Sequence, residues 1–192
     1  MKQDIILAGV GGQGILSIAF VIDNSALAQG LNFKQAEVHG MAQRGGAVQS
    51  HLRLSSHSIH SDLIPKGEAD MILSVEPVET LRYFDFLSPR GIVITSCSPY
   101  VNIPDYPDLD EVVKEIQRAE RNVVIDAEKL AKQAGFSKSQ NMVMLGAASH
   151  HLILKKEELV KFIRILFEPR GEKVVDINLK AFDLGRQAGL SS

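Results

Sequence analysis

Several absences narrow what this chain can do. Its 192 residues contain one cysteine, Cys97, which excludes an intrachain disulfide and an iron–sulfur cluster held by this chain alone. Tryptophan is absent and aromatic residues make up 6%, which argues against a surface that stacks nucleic-acid bases. No apolar run reaches the ~18 residues that a membrane span needs, and the N-terminus lacks the pattern of a secretory signal. With a net charge of -2, we expect a cytoplasmic protein without affinity for nucleic acid or membranes.

The order of strand and helix patterns predicts one α/β domain that spans residues 1–192. The predicted strands are Asp4–Ala8, Leu31–Val38, Ala47–Leu54, Ser58–Leu63, Met71–Val75, Gly91–Ser96 and Asn122–Asp126. The predicted helices are Ile15–Gln29, Val78–Phe86, Asp110–Arg121, Ala127–Ala134, Met142–Leu154, Lys156–Phe167 and Lys180–Ala188. Ala47–Leu54 and Ser58–Leu63 are expected to pair as a hairpin. We therefore predict a three-layer α/β/α sandwich with a Rossmann-like start and a mixed, mostly parallel sheet that contains one hairpin.

A glycine-rich turn follows the first predicted strand directly and leads into a helix. Asp4–Leu16 reads DIILAGVGGQGIL and contains the spacing G-x-G-x-x-G. Such a turn directs free backbone amides and the positive end of the helix dipole at one point, where a phosphate can bind. The alternative is a tight turn whose glycines only permit close packing, and Glu37 is a poor match for the acidic residue expected about 20 positions later. The candidate ligand-binding residues of the turn are Gly9, Gly11, Gly12, Gln13 and Gly14.

A second polar motif, EVHGMAQRGG, occupies Glu37–Gly46. Arg44 could bind a phosphate or carboxylate through two parallel hydrogen bonds, and the paired glycines would let the backbone approach a ligand closely. The histidine and glutamine could donate or accept hydrogen bonds. The alternative, a connecting loop whose arginine pairs with a surface carboxylate, has equal weight. The candidate ligand-binding residues of this motif are His39, Gln43, Arg44, Gly45 and Gly46.

A few isolated residues also need an interpretation. Glu76 ends a predicted strand where ligands tend to bind, so it either contacts a ligand or only ends the strand. Asn141 stands at the start of an apolar helix, which favours a capping role over a ligand contact. One of the neighbours Ser50 and His51 should face outward from a strand. The six histidines have no carboxylate at a spacing that completes a metal site, so surface or packing roles are favoured.

Four motifs occur in the order found in one protein family. They are GVGGQG at 9–14, VHGMAQRGG at 38–46, SHLRLS at 50–55 and NMVMLGA at 141–147. In these motifs the chain resembles the gamma-type subunit of the 2-oxoacid:ferredoxin oxidoreductases over its whole length. The second motif is most similar to the beta subunit of indolepyruvate ferredoxin oxidoreductase.

This resemblance implies a function that needs a partner. Enzymes of the family decarboxylate a 2-oxoacid oxidatively to an acyl-CoA, with thiamine diphosphate, Mg²⁺, 4Fe–4S clusters, coenzyme A and ferredoxin as electron acceptor. The resemblance implies that a larger subunit holds the thiamine and the clusters. This chain would shape the site and hold coenzyme A or substrate. It would supply no catalytic residue and would be inactive alone. The alternatives are a free-standing Rossmann-like nucleotide- or CoA-binding protein and a nicotinamide or flavin oxidoreductase. An isolated copy could also form a homodimer through the apolar faces of its last helices.

Overall fold

A six-stranded mixed sheet forms the middle layer of the protein. The computed structural model describes residues 1–40, 45–101 and 103–190. Its strands are β1 (Lys2–Val10), β2 (Asn32–His39), β3 (Ala47–Ser55), β4 (Ala69–Ser74), β5 (Leu87–Ser96) and β6 (Asn122–Ile125). They lie in the order β2-β3-β1-β4-β5-β6. The four strands β1, β4, β5 and β6 run parallel to one another. β3 pairs antiparallel with both of its neighbours, β1 and β2.

Two unequal helical layers cover the sheet. The helices are α1 (Ile15–Ala28), α2 (Pro77–Leu81), α3 (Leu109–Ile116), α4 (Ala127–Ala134), α5 (Gln140–Ala148), α6 (Lys156–Phe167) and α7 (Glu172–Ala188). Side chains alternate along each strand, so Ile5 and Leu7 pack with α1 and α4 to α7, whereas Ile6 points to the other face. There α2 and α3 cover β5. The predicted three-layer sandwich with a mixed sheet is confirmed. None of the described helices is long and apolar enough to cross a membrane.

The central helix α5 is held by a very close crossing with α7. Every residue from Asn141 to Ala148 is buried. A Cβ atom at Gly146 would lie 2.0 Å from the carbonyl oxygen of Phe182, and one at Gly185 would lie 1.9 Å from that of Val143. The two backbones therefore touch directly, and this contact fixes the position of α5 in the helical layer that covers one face of the sheet.

The predicted hairpin partner was wrong. Ser58–Leu63 forms no strand, and β3 instead forms the hairpin with β2. The reason is that β3 already has a neighbour on each side, so no edge remains for a further strand. Side chains of β3 hold the segment instead: the Arg53 guanidinium donates to the carbonyls of Ser61 and Leu63, and His51 Nδ1 accepts from the Ile64 amide at 3.0 Å.

Burial at the middle of β3 also differs from the prediction. Ser50 and His51 are both buried, because β3 is an interior strand covered on both faces. Burial lowers the pKa of His51 and favours the neutral ring that accepts the Ile64 amide. Helix bounds shift as well, since α5 ends at Ala148 and α7 already begins at Glu172.

Candidate functional site

The glycine turn has a fixed backbone geometry between β1 and α1. Gly12 and Gly14 adopt φ angles of +102° and +80°, the left-handed region that favours glycine. The side chain of Gln13 folds back onto the turn, where its Oε1 accepts from the Val10 amide at 2.8 Å. The Gln13 amide in turn donates to the Val10 carbonyl at 3.0 Å. Gln13 therefore organises the turn from within.

Four amides at the end of this turn lack an acceptor among the described residues. In the described parts of the chain, the N–H groups of Gly12, Gly14, Ile15 and Leu16 donate to no protein acceptor. The last three belong to the N-terminus of α1, whose first turn has no acidic residue and no side-chain cap. Partial positive charge thus accumulates there without compensation, which favours an anion.

Gly9 and Gly11 serve the geometry of the turn and do not offer free donors. A Cβ at Gly9 would lie 2.8 Å from Ile15 Cδ1 and 2.9 Å from Gln13 Oε1, so only glycine fits without a shift. The Gly11 amide donates to the Gly46 carbonyl at 2.8 Å, and the Gly11 carbonyl accepts from the Gly45 amide at 3.2 Å. Gly11 therefore joins the two motifs that the sequence singled out.

The structure thus brings the paired glycines against the glycine turn, as a shared ligand site requires. Gln43 and Arg44 lie outside the described residues, and the same applies to the side chain of His39. Their assignment to the site stays a prediction.

A cleft of about 520 Å³ opens beside the glycine turn, a size typical of small-molecule sites. Its walls come from the turn, from the segment after β5, from α4 and from the residues that lead into α5. Among the described lining residues, Lys138 is the cation and Glu128 is the anion. The lining residues are Gly11, Gly12, Gln13, Ser98, Pro99, Tyr100, Glu128, Ser137, Lys138 and Gln140. Gly12, whose amide has no acceptor in the described structure, and the exposed Lys138 therefore line the same cavity.

The sequence did not single out Lys138, Ser137 and Gln140. Their one sequence signal is their position at or just before the start of the apolar helix α5, which begins at Gln140.

Asn141 positions the glycine turn, and its predicted capping role was wrong. It lies inside α5, after Gln140, and is 6% exposed. Its Nδ2 donates to the Gly14 carbonyl at 3.3 Å, and its Oδ1 accepts from the Met142 amide at 3.0 Å. A Cβ at Gly14 would lie only 2.4 Å from Asn141 Nδ2. The central helix therefore holds the turn in place through this side chain.

Glu76 is buried on the other side of β1 and does not line the cleft. It caps α2, since its Oε2 accepts from the Glu79 amide at 2.8 Å. Its Oε1 accepts from the Tyr100 amide at 3.3 Å and from the Tyr106 hydroxyl. Burial and this carboxylate raise the pKa of Tyr106, so the phenol stays a donor. Glu76 thus fastens the proline-containing segment after β5, which supplies one wall of the cleft.

The described residues hold no group of three histidine, cysteine, aspartate or glutamate side chains suited to a metal ion. Cys97 is half-buried, and burial raises the pKa of its thiol, which disfavours the reactive thiolate.

A dinucleotide site of the Rossmann type also lacks its usual second strand. In that fold the strand next to β1 carries the acidic residue that binds a ribose. Here β1 lies between the parallel β4 and the antiparallel β3, so β3 takes the place of that strand. Glu37 lies one strand further out, on the edge strand β2 opposite Ser50. The glycine spacing therefore occurs without an acidic residue on a parallel strand beside β1, which a nicotinamide cofactor would need for its ribose.

Comparison with known proteins supplies the family. The model of the family "Pyruvate ferredoxin/flavodoxin oxidoreductase" matches residues 4–188. The chain belongs to this family. It is 39% identical over 199 residues to the indolepyruvate oxidoreductase subunit IorB of Thermococcus kodakarensis, with 98% of this chain and 96% of the relative covered. The resemblance inferred from the four motifs is confirmed.

Solved structures of relatives share the fold. The gamma subunit of a keto/oxoacid ferredoxin oxidoreductase from Geobacter sulfurreducens superposes with a TM-score of 0.74 at 22% identity, covering 99% of each chain. The 2-oxoglutarate:ferredoxin oxidoreductase of Magnetococcus marinus, solved with 2-oxoglutarate, coenzyme A and succinyl-CoA, gives a TM-score of 0.81 at 24% identity. It covers 100% of this chain and 31% of that longer polypeptide. At these identities the two structures show that the chain shares their fold.

Proposed function

We propose that this chain is the small subunit of an indolepyruvate-type ferredoxin oxidoreductase and that its cleft holds the phosphate-bearing part of coenzyme A. The observation that carries the proposal is the set of amides at Gly12, Gly14, Ile15 and Leu16, which have no acceptor among the described residues. Gly12 at the front of this set lines the same cleft as Lys138. Backbone amides at a helix start and a lysine are the donors that phosphate groups bind. The donor set of this chain therefore fits the phosphates of coenzyme A.

The redox and carbanion chemistry belongs to a partner in this proposal. With one cysteine, this chain can ligate no iron–sulfur cluster by itself. Thiamine diphosphate, Mg²⁺ and the 4Fe–4S clusters are therefore assigned to a larger subunit, with ferredoxin as the electron acceptor. The role of the small subunit is to bind and orient: the glycine turn holds phosphate, Gln13 and Asn141 keep the turn in shape, and Glu76 holds the wall of the cleft.

An aromatic 2-oxoacid such as indolepyruvate is the proposed substrate. Its support is the 39% identity to a relative named for indolepyruvate, together with the VHGMAQRGG motif. The free-standing nucleotide-binding alternative retains the glycine spacing as its support, but the antiparallel β3 beside β1 weakens it.

Purification of the native complex tests the proposal. We expect the chain to copurify with a larger subunit that contains thiamine and iron, and the complex to reduce ferredoxin with indolepyruvate in a CoA-dependent reaction. Pyruvate and 2-oxoglutarate serve as matched substrates and should react more slowly. Ferredoxin or nicotinamide reduction by the isolated chain, or a complex that prefers an aliphatic 2-oxoacid, would contradict it.

A further inference from the structure

Tyr100 is the aromatic residue among the described residues that line the cleft beside the glycine turn. It is 43% exposed, in a chain that has no tryptophan and three tyrosines. The other two tyrosines serve the fold: Tyr83 packs against a core cluster, and the Tyr106 hydroxyl donates to Glu76. Tyr100 therefore exposes aromatic surface at the wall of a cleft, where a planar group of a ligand can stack on it.

Hydrogen bonds at Tyr100 and just before it hold the segment that carries this residue. The Tyr100 amide donates to Glu76 Oε1 at 3.3 Å. Two residues earlier, the Ser98 hydroxyl donates to Asp126 at 3.1 Å and accepts from the Glu128 amide at 3.2 Å. The backbone of the aromatic residue is thus fixed before a ligand arrives, and tyrosine loses little side-chain freedom on binding because it has few rotatable bonds.

We propose that Tyr100 stacks on the adenine ring of coenzyme A, so that the cleft receives the nucleotide end of this ligand. The proposal rests on the proposed function and extends it from the phosphate to the base. Gly12, whose amide has no acceptor among the described residues, and Lys138 line the cleft together with Tyr100. Phosphate donors and an aromatic surface within one cavity are the two kinds of contact that an adenine nucleotide needs.

The size of the cleft fits a nucleotide. Its volume of about 520 Å³ lies in the range of sites that hold one drug-sized group, such as adenosine diphosphate (ADP). Coenzyme A carries its reacting thiol at the opposite end, on the pantetheine arm. A nucleotide held by this chain therefore leaves the thiol free to reach the thiamine of the larger subunit, as the proposed function requires.

Steady-state kinetics of the reconstituted complex test the proposal, with coenzyme A and pantetheine compared as acyl acceptors. Pantetheine has the thiol but no nucleotide. For Tyr100→Ala, we expect the ratio of kcat/KM for coenzyme A to that for pantetheine to fall about tenfold, because one stacked base is lost. Tyr100→Phe keeps the ring, so its ratio should stay within about twofold of the wild type.

The matched control is Phe136→Ala, because Phe136 is 48% exposed and stands next to the cleft wall in sequence but does not itself line the cleft. Its ratio should equal that of the wild type. A fall of less than about threefold for Tyr100→Ala would overturn the proposal, and so would an equal fall for Tyr100→Phe. If Tyr100 instead contacts the larger subunit, the rates with both acceptors fall together and the ratio stays constant, which also overturns the proposal.

Inhibition by ADP distinguishes coenzyme A from a free adenine nucleotide as the occupant of the cleft. We expect ADP to compete with coenzyme A and to bind Tyr100→Ala about tenfold more weakly than the wild type. An effect of ADP that does not compete with coenzyme A would assign the cleft to a free nucleotide, and no effect of ADP would remove adenine from the cleft; either result overturns the proposal. A wild-type complex with equal kcat/KM for coenzyme A and pantetheine would instead contradict the proposed function.

Discussion

The two ends of the parallel strands differ in how far their polar groups are hydrogen-bonded within the protein. At the amino end, Asp4 is fully buried and its carboxylate is bound by Arg53 at 2.9 and 3.0 Å and by Lys2 at 3.0 Å. The Asp4 amide donates to Asp70 at 2.8 Å. Gln3 donates to a carbonyl and accepts from an amide of the segment after α5. The protein itself therefore uses the donors and acceptors of this end.

At the carboxyl end the protein leaves comparable groups unused. The amides of Gly12 and Gly14 donate to no acceptor in the described structure, and Glu79 keeps a buried oxygen without a donor. Both ends belong to one sheet with one core, so the difference does not come from poor packing. It teaches that the polar groups of one end stabilise the fold, whereas donors at the other end stay unpaired within the described structure, as the proposed phosphate site requires.

Arg53→Met removes hydrogen bonds at the amino end of the strands and should have the largest effect on the free energy of unfolding. The variant leaves the buried carboxylate of Asp4 with Lys2 alone and releases the carbonyls of Ser61 and Leu63. We expect the free energy of unfolding to fall by about 3 to 5 kcal/mol, measured by urea denaturation. Lys66→Met is the control, because the exposed pair with Asp85 should contribute less than about 1 kcal/mol. Equal effects of both variants would contradict the comparison.

Asp23→Asn tests whether an unpaired buried carboxyl always marks a site. Asp23 lies in α1, away from both ends, its Oδ1 has no partner in the described structure, and burial raises its pKa to about 7. Because the folded pKa lies above the ordinary value of 3.8, wild-type stability falls as the pH rises from about 4 to about 7.

The asparagine variant removes this loss, so at pH 8 its free energy of unfolding should exceed that of the wild type by up to about 4 kcal/mol. At pH 4 the two proteins should be nearly equal, and binding of coenzyme A should not change. Urea denaturation at both pH values checks this, and a pH-independent difference would count against the assignment.

Gly14→Ala changes the glycine turn at the carboxyl end of the strands, at the position with the least room for a Cβ atom. The alanine Cβ would lie 2.4 Å from Asn141 Nδ2 at a φ of +80°, so both strain and a clash oppose it. We expect a loss of about 2 kcal/mol in the free energy of unfolding together with weaker phosphate binding. Gly12→Ala is the matched variant, because its Cβ meets nothing within 4 Å and only the φ of +102° is unfavourable. Its cost should be about 1 kcal/mol, and the reverse order would refute the role of Asn141.

Lys138→Gln changes the cleft with the smallest energetic effect. Lys138 is exposed, so the melting temperature should not move, while the KM for coenzyme A in the complex should rise about fivefold at constant kcat. Lys129→Gln serves as the control, since Lys129 is exposed on α4 but does not line this cleft. An unchanged KM for Lys138→Gln would remove this lysine from the site.

The sequence predicts much of the fold because most elements depend on local patterns. The apolar runs of the parallel strands and the glycine turn are readable along the chain, and α4 and α6 have the predicted bounds. The hairpin partner was not predictable in this way, because it depends on which strands occupy the two edges of β3. His51 and Arg53 then satisfy a distant loop through their side chains.

The candidate site shows the same division between local and distant information. The two glycine motifs are visible as letters, but their junction through Gly11 exists only in the fold. Asn141 meets Gly14 across a separation of 127 residues, so its spacing in the sequence suggests a cap and hides its actual contact. Lys138 gains its significance from the cleft that it lines, which no pattern in the sequence reports.

Amide chemical shifts of the ¹⁵N-labelled chain test most directly whether the glycine turn and the start of α1 bind phosphate. Titration with coenzyme A should shift the amide resonances of Gly12, Gly14, Ile15 and Leu16 with one common saturation curve, whereas pantetheine, which has no phosphate, should leave them in place. Amides that stay unmoved by coenzyme A, or that move equally with pantetheine, would contradict the account.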